Sequence, residues 1–445
     1  MESQNQQNGQ SSSSSTSSGV SRRSILKNST IAAGAAMGAG YALLNTTNRA
    51  WAQVSEEIKV GVVGCGGRGS GAMGNILEAA QTANHKVKIH AVADMFQDKA
   101  DAAAKKHNVA KERTFVGLDA YKQVMASDVE LVILATPPGF RPIHFEAAVE
   151  AGKNIFFEKP VATDPTGVRR VIAAAKKAEQ KKLGVVAGTQ RRHQGAYLDT
   201  IKRIEDGMIG DVMHMSIYWN GGGIWWHKRE PGMTDIEYQV KNWYHHIWLC
   251  GDHINEQHIH NIDVANWVMG SHPISAYGAG GRQVRDRIGQ PGEIWDHFGI
   301  EYEYPNGGRV LSQCRHWPKA DDLVDEYVIG TKGFGKPGGE LQVRGGEKWK
   351  YNQKADKARH PNPYVQEHID LLNSIKAGKP LNEGVRVAES TLTAIIGRMS
   401  AYTGKRVKWD WAMNESKLNL VPENLTKDSP APPVVVPQPG ETTLI

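Results

Sequence analysis

The residues with the clearest chemical meaning form a glycine loop after a short apolar run. Ile58 to Val63 is mostly apolar, and Gly64, Gly66 and Gly69 follow with the spacing Gly-x-Gly-x-x-Gly. In such a loop the first glycine allows a tight turn, the second lets backbone approach a pyrophosphate, and the third lets the next helix pack closely. The amide groups at the start of that helix favour bound phosphate. The pattern predicts a dinucleotide site.

An acidic residue follows the second apolar run. Val87 to Ala93 has the character of a strand, and Asp94 stands directly after it. In a Rossmann domain this carboxylate hydrogen-bonds the adenosine ribose hydroxyls, and it would repel a 2′-phosphate. We therefore expect NAD rather than NADP as the cofactor. An ordinary strand–turn–helix corner would not explain three glycines in register with a terminal aspartate.

A charged pair follows another predicted strand. Glu158-Lys159-Pro160 comes directly after Asn154–Phe157, and alone it could be a surface ion pair of little consequence. Taken together, several motifs in this order and spacing resemble the Gfo/Idh/MocA oxidoreductases over about residues 57–415: Gly64–Gly69, Asp94, Ala135-Thr136-Pro137, His144 and Glu158-Lys159-Pro160. The strongest part of the resemblance is the string from Glu146 to Ala162.

The resemblance implies a cofactor site and a place for the chemistry. It puts Lys159 beside the nicotinamide and the reacting carbon, where an ammonium can bond the substrate oxygen and favour its deprotonation. The expected cofactor contacts come from Gly64, Gly66, Gly67, Arg68, Gly69, Asp94, Thr136, Pro137, His144, Glu158 and Lys159.

The remaining catalytic residues are expected on a histidine-rich segment, Gly251 to Asp263. Ile259, Ile262, Ala265 and Met269 recur at helical spacing, which predicts a helix ending near Gly270.

Glu256 and His260 are four residues apart, hence on one face of such a helix. The family usually has Asp and His at these positions. We assign His260 as the general base for a substrate hydroxyl, and Glu256 as the group that orients His260 and stabilises its charged form.

Other interpretations of the same histidines remain. His245, His246, His253, His258 and His260 fall within sixteen residues, and histidine–carboxylate pairs at i and i+4 can bind zinc. We predict no metal, because Gly251–Asp263 contains no cysteine and no recognised zinc motif. For His253 and His258, a hydrogen-bonded place in the core is the expected role.

The wider pattern predicts a two-part α/β chain. Residues 57–190 alternate short apolar runs with amphipathic ones, which indicates a parallel Rossmann sheet with right-handed crossovers. Residues 191–420 carry β-branched and aromatic alternation with Gly, Pro and Asn turns, which indicates an α+β domain with a large, mostly antiparallel open sheet. By resemblance this part binds substrate and forms the oligomer. Residues 421–445 are proline-rich and predict an extended arm.

The predicted elements have these bounds. The first domain has strands at 87–93, 131–135, 154–157 and 183–187 and helices near 75–83, 99–107, 143–151 and 166–180; the second has strands at 212–218, 274–279, 297–304 and 309–314 and late helices at 364–377 and 385–402.

Aromatic residues suggest the substrate. Trp219, Trp225, Trp226, Trp243, Tyr244 and Trp248 occur within thirty residues. Indole faces stack on sugar rings, and flat aromatic walls are common in such sites, although these residues could equally fill the core. Gln190-Arg191-Arg192-His193 follows a strand at the domain junction and offers further polar contacts.

Residues 1–52 are excluded from the fold as a twin-arginine export signal. A Ser- and Gln-rich start precedes Arg22-Arg23, and the weakly apolar Ile31–Leu44 leads to a small-residue cleavage point at Ala50-Trp51-Ala52. An uncleaved anchor is the alternative. The predicted location is periplasmic or exported. Since free NAD is not replenished there, we expect a tightly bound cofactor that is recycled within one cycle or by a second substrate.

Charge and cysteine content narrow the function classes. The formal charge of +6 includes four basic residues and one acid in the leader, so about +3 remains without a long basic block. Nothing therefore suggests nucleic acid. Cys65, Cys250 and Cys314 are far apart and odd in number, which does not indicate a disulfide framework.

We therefore predict an exported NAD-dependent oxidoreductase that moves a hydride between a sugar or polyol hydroxyl carbon and tightly bound nicotinamide. The expected partners are a small carbohydrate or polyol and further copies of the chain as a dimer or tetramer. The alternative is a glycoside hydrolase that uses NAD transiently. Such an enzyme oxidises a sugar hydroxyl, eliminates the glycosidic group, adds water and then reduces the sugar again. A third hypothesis is a binding or structural protein that keeps the fold of an enzyme without its activity. The presence of Lys159, Glu256 and His260 argues against this hypothesis.

Overall fold

The computed structural model describes residues 57–445, so the predicted export signal lies outside the described residues. The first layer is a six-stranded parallel sheet with strand order β3-β2-β1-β4-β5-β6. Its elements are β1 (Ile58–Val63), α1 (Gly67–Thr82), β2 (Val87–Asp94), α2 (Gln97–His107), β3 (Thr114–Val116), α3 (Ala120–Ala126), β4 (Leu131–Leu134), α4 (Arg141–Glu150), β5 (Asn154–Phe157), α5 (Pro165–Gln180) and β6 (Val185–Ala187).

The central strands of this sheet are buried on both faces. In β4 all four residues are fully buried; Val132 and Leu134 face one apolar cluster, and Leu131 and Ile133 face the other. Continuous apolar strands of this kind require helices on both sides of a parallel sheet. The Rossmann fold predicted from the alternating pattern is thus confirmed.

The second layer is a nine-stranded sheet with order β14-β13-β12-β11-β7-β10-β9-β8-β15. The elements from here to the last helix are α6 (Gly195–Glu205), β7 (Val212–Gly221), α7 (Asp235–Lys241), α8 (Ile247–Cys250), α9 (His253–Glu256), α10 (Ile259–Met269), β8 (Ser275–Gly281), α11 (Gln283–Arg287), β9 (His297–Glu303), β10 (Arg309–His316), β11 (Leu323–Gly330), β12 (Gly333–Lys336), β13 (Glu340–Val343), β14 (Lys348–Lys350), α12 (Pro363–Lys376), α13 (Gly384–Thr403), β15 (Val407–Lys408) and α14 (Trp409–Asn414).

This sheet is mostly antiparallel, as predicted; β7 and β10 run parallel at its centre. One face is covered, since Met215, Ile217 and Val328 are buried and belong to the main apolar core. Alternate residues of β10 and β11 are exposed, so the other face is open there. The sheet is the half-buried type that period-2 alternation predicts.

Some element bounds differ from the sequence prediction. The helix predicted near 75–83 begins already at Gly67, because the glycine loop itself forms its first turn. Strands β11 to β14 were not predicted, although they extend the second sheet by four strands. The late helices over 364–377 and 385–402 are confirmed within two residues as α12 and α13.

The C-terminal arm, residues 421–445, contains no helix or strand and lies along the protein. It is tied down by bonds from Gln239 Nε2 to the Pro432 carbonyl (3.0 Å) and from Trp295 Nε1 to the Pro437 carbonyl (3.3 Å). The predicted extended arm is therefore packed more closely than its composition indicated. Within residues 57–445, no helix is both long and apolar enough to cross a membrane.

Candidate functional site

The glycine loop between β1 and α1 has the backbone geometry that its sequence predicts. Gly64 has φ +94°, and a Cβ there would lie 2.7 Å from the backbone of Ala135. At Gly69 a Cβ would stand 1.8 Å from the Gly64 carbonyl oxygen. Both positions therefore exclude a side chain, one for the turn and one for close packing of the helix.

Gly66 and Gly67 face open space instead. A Cβ built on either would meet no atom within 4 Å, and both residues line a cleft of about 550 Å³. The N-cap residue Gly66 leaves the first turn of α1 without a side-chain cap. Free amide groups at a helix N-terminus beside an open cleft form an anion site.

Asp94 lies at the carboxyl end of β2 and lines the same cleft. Its carboxylate accepts hydrogen bonds from the amides of Cys65 (2.7 Å) and Phe96 (2.9 Å), while burial raises its pKa. These bonds fix the acid between the glycine loop and the next turn. The placement at the sheet edge is the one that the sequence predicts.

Another wall of the cleft is formed by Thr136 and Pro137, which follow β4, and by His144 of α4. Thr136 Oγ1 is 3.1 Å from His144 Nδ1, and all three residues line the 550 Å³ cleft. Burial, followed by the charge of Arg141, lowers the pKa of His144 to about 3. His144 is therefore neutral at physiological pH and serves as a polar wall.

The cleft fits a dinucleotide in shape and in chemistry. It adjoins a second cavity of about 480 Å³, and the two share the wall residues Gly66, Gly67, Ala135, Thr136, Pro137, Trp225 and Trp243. The first cavity contains the glycine loop and Asp94, and the second contains the predicted catalytic groups. A dinucleotide with its phosphates at the glycine loop would place its two ends in the two cavities.

Lys159 and Glu256 meet in the second cavity. The Lys159 ammonium donates to the Glu256 carbonyl oxygen at 2.5 Å and to its Oε1 at 3.0 Å, and both side chains are nearly buried. Lys159 stands just beyond β5, and Glu256 ends α9. A charge pair with little solvent around it is strong and holds its members in fixed positions.

The expected pairing of Glu256 with His260 is not what the structure shows. The two residues lie on separate helices, α9 and α10, joined by an irregular turn. The His258 amide bonds the His253 carbonyl five residues back, and the His260 amide bonds the Gln257 carbonyl three residues back. The regular four-residue register is lost there, so Glu256 turns to Lys159 instead of His260.

His260 lines the same cavity as a neutral imidazole. Burial lowers its pKa well below the ordinary value, and the positive charges of Lys159 and Arg191 lower it further. Its ring stacks on Trp219 at 5.7 Å between centroids with a tilt of 26°. An unprotonated imidazole is competent to accept a proton.

Arg68 and Glu158 complete the wall of the second cavity. Arg68 Nε lies 2.8 Å from Glu158 Oε1, and the guanidinium stands over the ring of Tyr364 at 5.2 Å. A Cβ on Gly188 would come within 2.4 Å of Glu158 Oε2. The pair joins the glycine loop to the end of β5, beside the groups expected to react.

One further residue of this wall, Arg141, has no role assigned from the sequence, and Tyr244 is one of the aromatic residues expected near the substrate. Arg141 is fully buried, and its guanidinium donates to the carbonyls of Leu134 (2.5 Å) and Thr136 (2.6 Å). Tyr244 presents a buried hydroxyl with no hydrogen-bond partner in the described structure. The available signal for Arg141 is a charged residue at the start of the helix that follows an apolar strand and its loop.

The other histidines of the segment are structural. His253 Nδ1 is 2.9 Å from Asp252 Oδ1, His258 Nε2 is 2.8 Å from Ser312 Oγ, and both rings are fully buried. Their hydrogen-bonded core positions agree with expectation. Among residues 57–445, no group of three or more His, Cys, Asp or Glu side chains is arranged to hold a metal ion.

The aromatic cluster divides into different environments. Trp225, Trp243 and Tyr244 line the second cavity, whereas Trp248 is buried and donates to Gln239 Oε1 at 2.6 Å. Trp226 is exposed and lines neither of the two cavities described above. The cluster thus contributes both to the core and to the cavity wall.

The segment Gln190–His193 braces the junction of the two sheets. Arg191 pairs with Glu326 of β11, and Arg192 Nε contacts Asp263 Oδ2 at 2.8 Å. His193 Nδ1 lies 2.6 Å from Asp370 Oδ2 of α12. These side chains hold the layers together, which fixes the relative position of Lys159 and His260.

A parallel sheet with a glycine-lined cleft, joined to a cavity that holds a lysine, a carboxylate and an imidazole, defines a dinucleotide-dependent oxidoreductase. Comparison with known families agrees. A model of the oxidoreductase family with NAD-binding Rossmann fold (GFO_IDH_MocA) matches residues 58–186, and a GFO/IDH/MocA C-terminal domain model matches 197–334. The chain belongs to the Gfo/Idh/MocA family, which contains oxidoreductases that act on CH–OH groups with NAD.

Individual curated relatives have low sequence identity to this chain. An inositol 2-dehydrogenase of Rhizobium meliloti (strain 1021) is 27% identical over 266 residues, which cover 60% of this chain and 72% of that protein. A scyllo-inositol 2-dehydrogenase (NAD(+)) of Bacillus subtilis (strain 168) is 26% identical over 281 residues, covering 63% and 73%.

Among solved structures, the aldose-aldose oxidoreductase from Caulobacter crescentus complexed with glycerol matches with a TM-score of 0.61 and 18% identity. The match covers 79% of this chain and 99% of that one. At this identity the likeness shows the fold.

Proposed function

We propose that the protein is an NAD-dependent dehydrogenase of a cyclic polyol or sugar. The observation that carries this proposal is the single cavity wall formed by Lys159, Glu256 and His260, next to a cleft that fits a dinucleotide. The inositol dehydrogenases among the relatives favour a ring bearing several hydroxyl groups.

The residues divide the proton chemistry between them. NAD, when bound, accepts a hydride from the carbon that carries the reacting hydroxyl. His260, neutral through burial and neighbouring charge, takes the hydroxyl proton on a ring nitrogen. The Lys159 ammonium stabilises the negative charge that develops on the oxygen, and Glu256 holds that ammonium in position.

Other residues of the cleft and of the second cavity determine which cofactor and which substrate bind. The Asp94 carboxylate at the end of β2 disfavours a 2′-phosphate, so NAD is preferred over NADP. Trp225 and Trp243 offer flat apolar faces to the cavity, and Arg68 and Glu158 offer hydrogen-bonding groups. An apolar wall with a few placed polar groups suits a polyol ring.

Location and assembly are part of the same proposal. The Arg22-Arg23 leader supports export by the twin-arginine route, with tightly bound NAD recycled by the enzyme because the compartment supplies none. Residues 57–190 would then be the cofactor domain and 191–420 the substrate domain. The open face of the second sheet carries exposed apolar side chains and favours a dimer or tetramer.

One experiment tests the proposal directly. Native mass spectrometry of the purified mature protein reports bound nucleotide, and a panel of inositols and sugars is then added while absorbance at the NADH wavelength is followed. We expect at least one polyol to reduce the bound NAD without cleavage of a glycosidic bond. Release of phenol from aryl glycosides without added NAD would instead support the glycoside hydrolase. Binding of no nucleotide by the folded protein would refute both.

A further inference from the structure

One wall of the nucleotide cleft comes from outside the Rossmann sheet. Residues 222–243 connect β7 to the region before α8 and include α7. We call this segment the cover. Its residues Trp225, His227, Lys241 and Trp243 line the same cleft as Gly66 and Asp94, and Trp225 and Trp243 also line the catalytic cavity. The cover therefore spans both ends of the proposed dinucleotide site.

The backbone of the cover is pinned by a buried amide. Asn242 is fully buried; its Oδ1 accepts from the His227 amide at 2.7 Å, and its Nδ2 donates to the His227 carbonyl at 3.1 Å. A side-chain amide bonded to both groups of one residue holds that residue as a strand neighbour would. The backbone of His227, a residue that lines the cleft, is thereby fixed.

A second pin holds Trp225. Arg285 Nη2 is 2.5 Å from His245 Nδ1, and His245 Nε2 is 2.6 Å from the Trp225 carbonyl. A guanidinium can only donate, so Nδ1 accepts and the proton of the neutral ring sits on Nε2, which donates to Trp225. Burial, then the charge of Arg285, lowers the pKa of His245 to about 4, which agrees with this assignment.

An apolar cluster joins the cover to the Rossmann rim. Ile236 and Val240 of the cover are buried with Trp248 and Leu249. Packed against them are Met95, Phe96 and Leu118 from the loops at the rim of the cleft, and Leu420, Leu425 and Ala431 from the C-terminal part of the chain. Moving the cover away would expose this apolar surface to water, which is unfavourable.

We propose that the cover retains the dinucleotide, with Trp225 and His227 as cofactor-contacting residues, so that nucleotide release requires the cover to detach. The inference rests on the proposed function, because it needs NAD in the cleft. It also supplies the physical basis for a cofactor that stays bound through repeated turnovers. Contacts that must break before release act mainly on the dissociation rate.

The matched variants are Trp225→Ala and Trp226→Ala. The two tryptophans are neighbours with similar exposure, 46% and 43%, but only Trp225 lines the two cavities. The full mature chain is loaded with NADH, excess NAD is added, and release is followed by loss of energy transfer from tryptophan to NADH. We expect Trp225→Ala to speed release about tenfold or more, and Trp226→Ala to leave it unchanged.

A second variant acts through the backbone. Asn242→Ala removes both bonds to His227, and thermal unfolding is measured alongside to show that the variant is folded. Faster release in folded Asn242→Ala supports the cover.

Each remaining outcome separates the two proposals. Equal release rates for wild type, Trp225→Ala and Asn242→Ala would overturn the cover alone, and failure of the wild type to bind any dinucleotide would overturn the proposed function with it.

Discussion

Lys159 is the residue on which the proposed chemistry depends most. Its ammonium bonds both the backbone and the side chain of Glu256, and its charge helps to hold His260 in the neutral form. One side chain thus prepares the base and stabilises the product of deprotonation. Because the groups are buried together, the positive charge acts on the imidazole through little screening.

Replacing that ammonium by a thioether of similar length tests both effects. We expect Lys159→Met to lower kcat by roughly 10²- to 10⁴-fold, the usual contribution of a positioned proton-transfer or charge-stabilising group. The pKa of His260 should rise once the charge is gone. Activity falls when His260 becomes protonated, so the acidic limb of the residual pH–rate profile should move to higher pH. Steady-state kinetics across pH measures both.

The readout that separates catalysis from folding is cofactor binding. Lys159→Met should still bind NAD, because the glycine loop and Asp94 do not depend on Lys159. Unchanged kcat in a folded variant, or an acidic limb that moves to lower pH, would contradict the assigned roles of Lys159 and His260.

At the scale of elements, the Rossmann half was the predictable part. The apolar runs of β4 and β5 and the glycine loop are local signals, and local signals set buried parallel strands and their turns. Strands β11 to β14 were missed because Gly333, Gly335 and Gly339 and several charged residues weaken the period-2 pattern; these strands form through pairing with neighbours that the sequence does not reveal.

The turn between α9 and α10 shows what the sequence spacing could not predict about the site. Glu256 and His260 have the spacing of one helical face, yet the amide bonds of His258 and His260 change register between them. His258 is drawn into the core by its bond to Ser312 on β10, a contact 54 residues away in sequence. A long-range contact of this kind overrides local spacing, so the sequence predicted that Glu256 and His260 lie near Lys159 in one cavity, but it could not predict which of them pair.

The junction between elements offers a stability test. Although burial alone would lower it, the pKa of His193 is raised to about 10 by Glu383 and Asp370. A raised folded-state pKa contributes stability that is complete below the unfolded value near 6.5 and is lost as pH rises towards 10. We expect His193→Gln to lower the free energy of unfolding by about 3 kcal/mol at pH 6, with a gap that narrows up to pH 10.

Urea unfolding of both proteins at several pH values measures that gap. His85→Gln is the control, since His85 bonds the neutral amide of Asn373 at the surface and should give a small, constant difference. A His193 gap that stays constant or widens with pH would show that the histidine is not held charged by its two carboxylates.

At the scale of the whole molecule, the open face of the second sheet is the feature that the single chain leaves unexplained. Met213, Tyr277, Leu311, Ile329 and Phe334 are large apolar residues exposed on five different strands. Large apolar side chains exposed on neighbouring strands of one sheet favour an interface with another protein surface. The proposed dimer or tetramer would cover this face by packing sheet on sheet.

Charged side chains introduced on that face should dissociate the oligomer into monomers. They should leave the fold intact, because the substituted side chains point away from the core. We expect the double variant Leu311→Asp/Ile329→Asp to shift the protein from oligomer to monomer in light scattering after gel filtration, since two desolvated carboxylates would face two more across the interface. Leu381→Asp, at a residue of similar exposure outside the sheet, should keep the wild-type mass. A double variant with wild-type mass would place the interface elsewhere on the molecule.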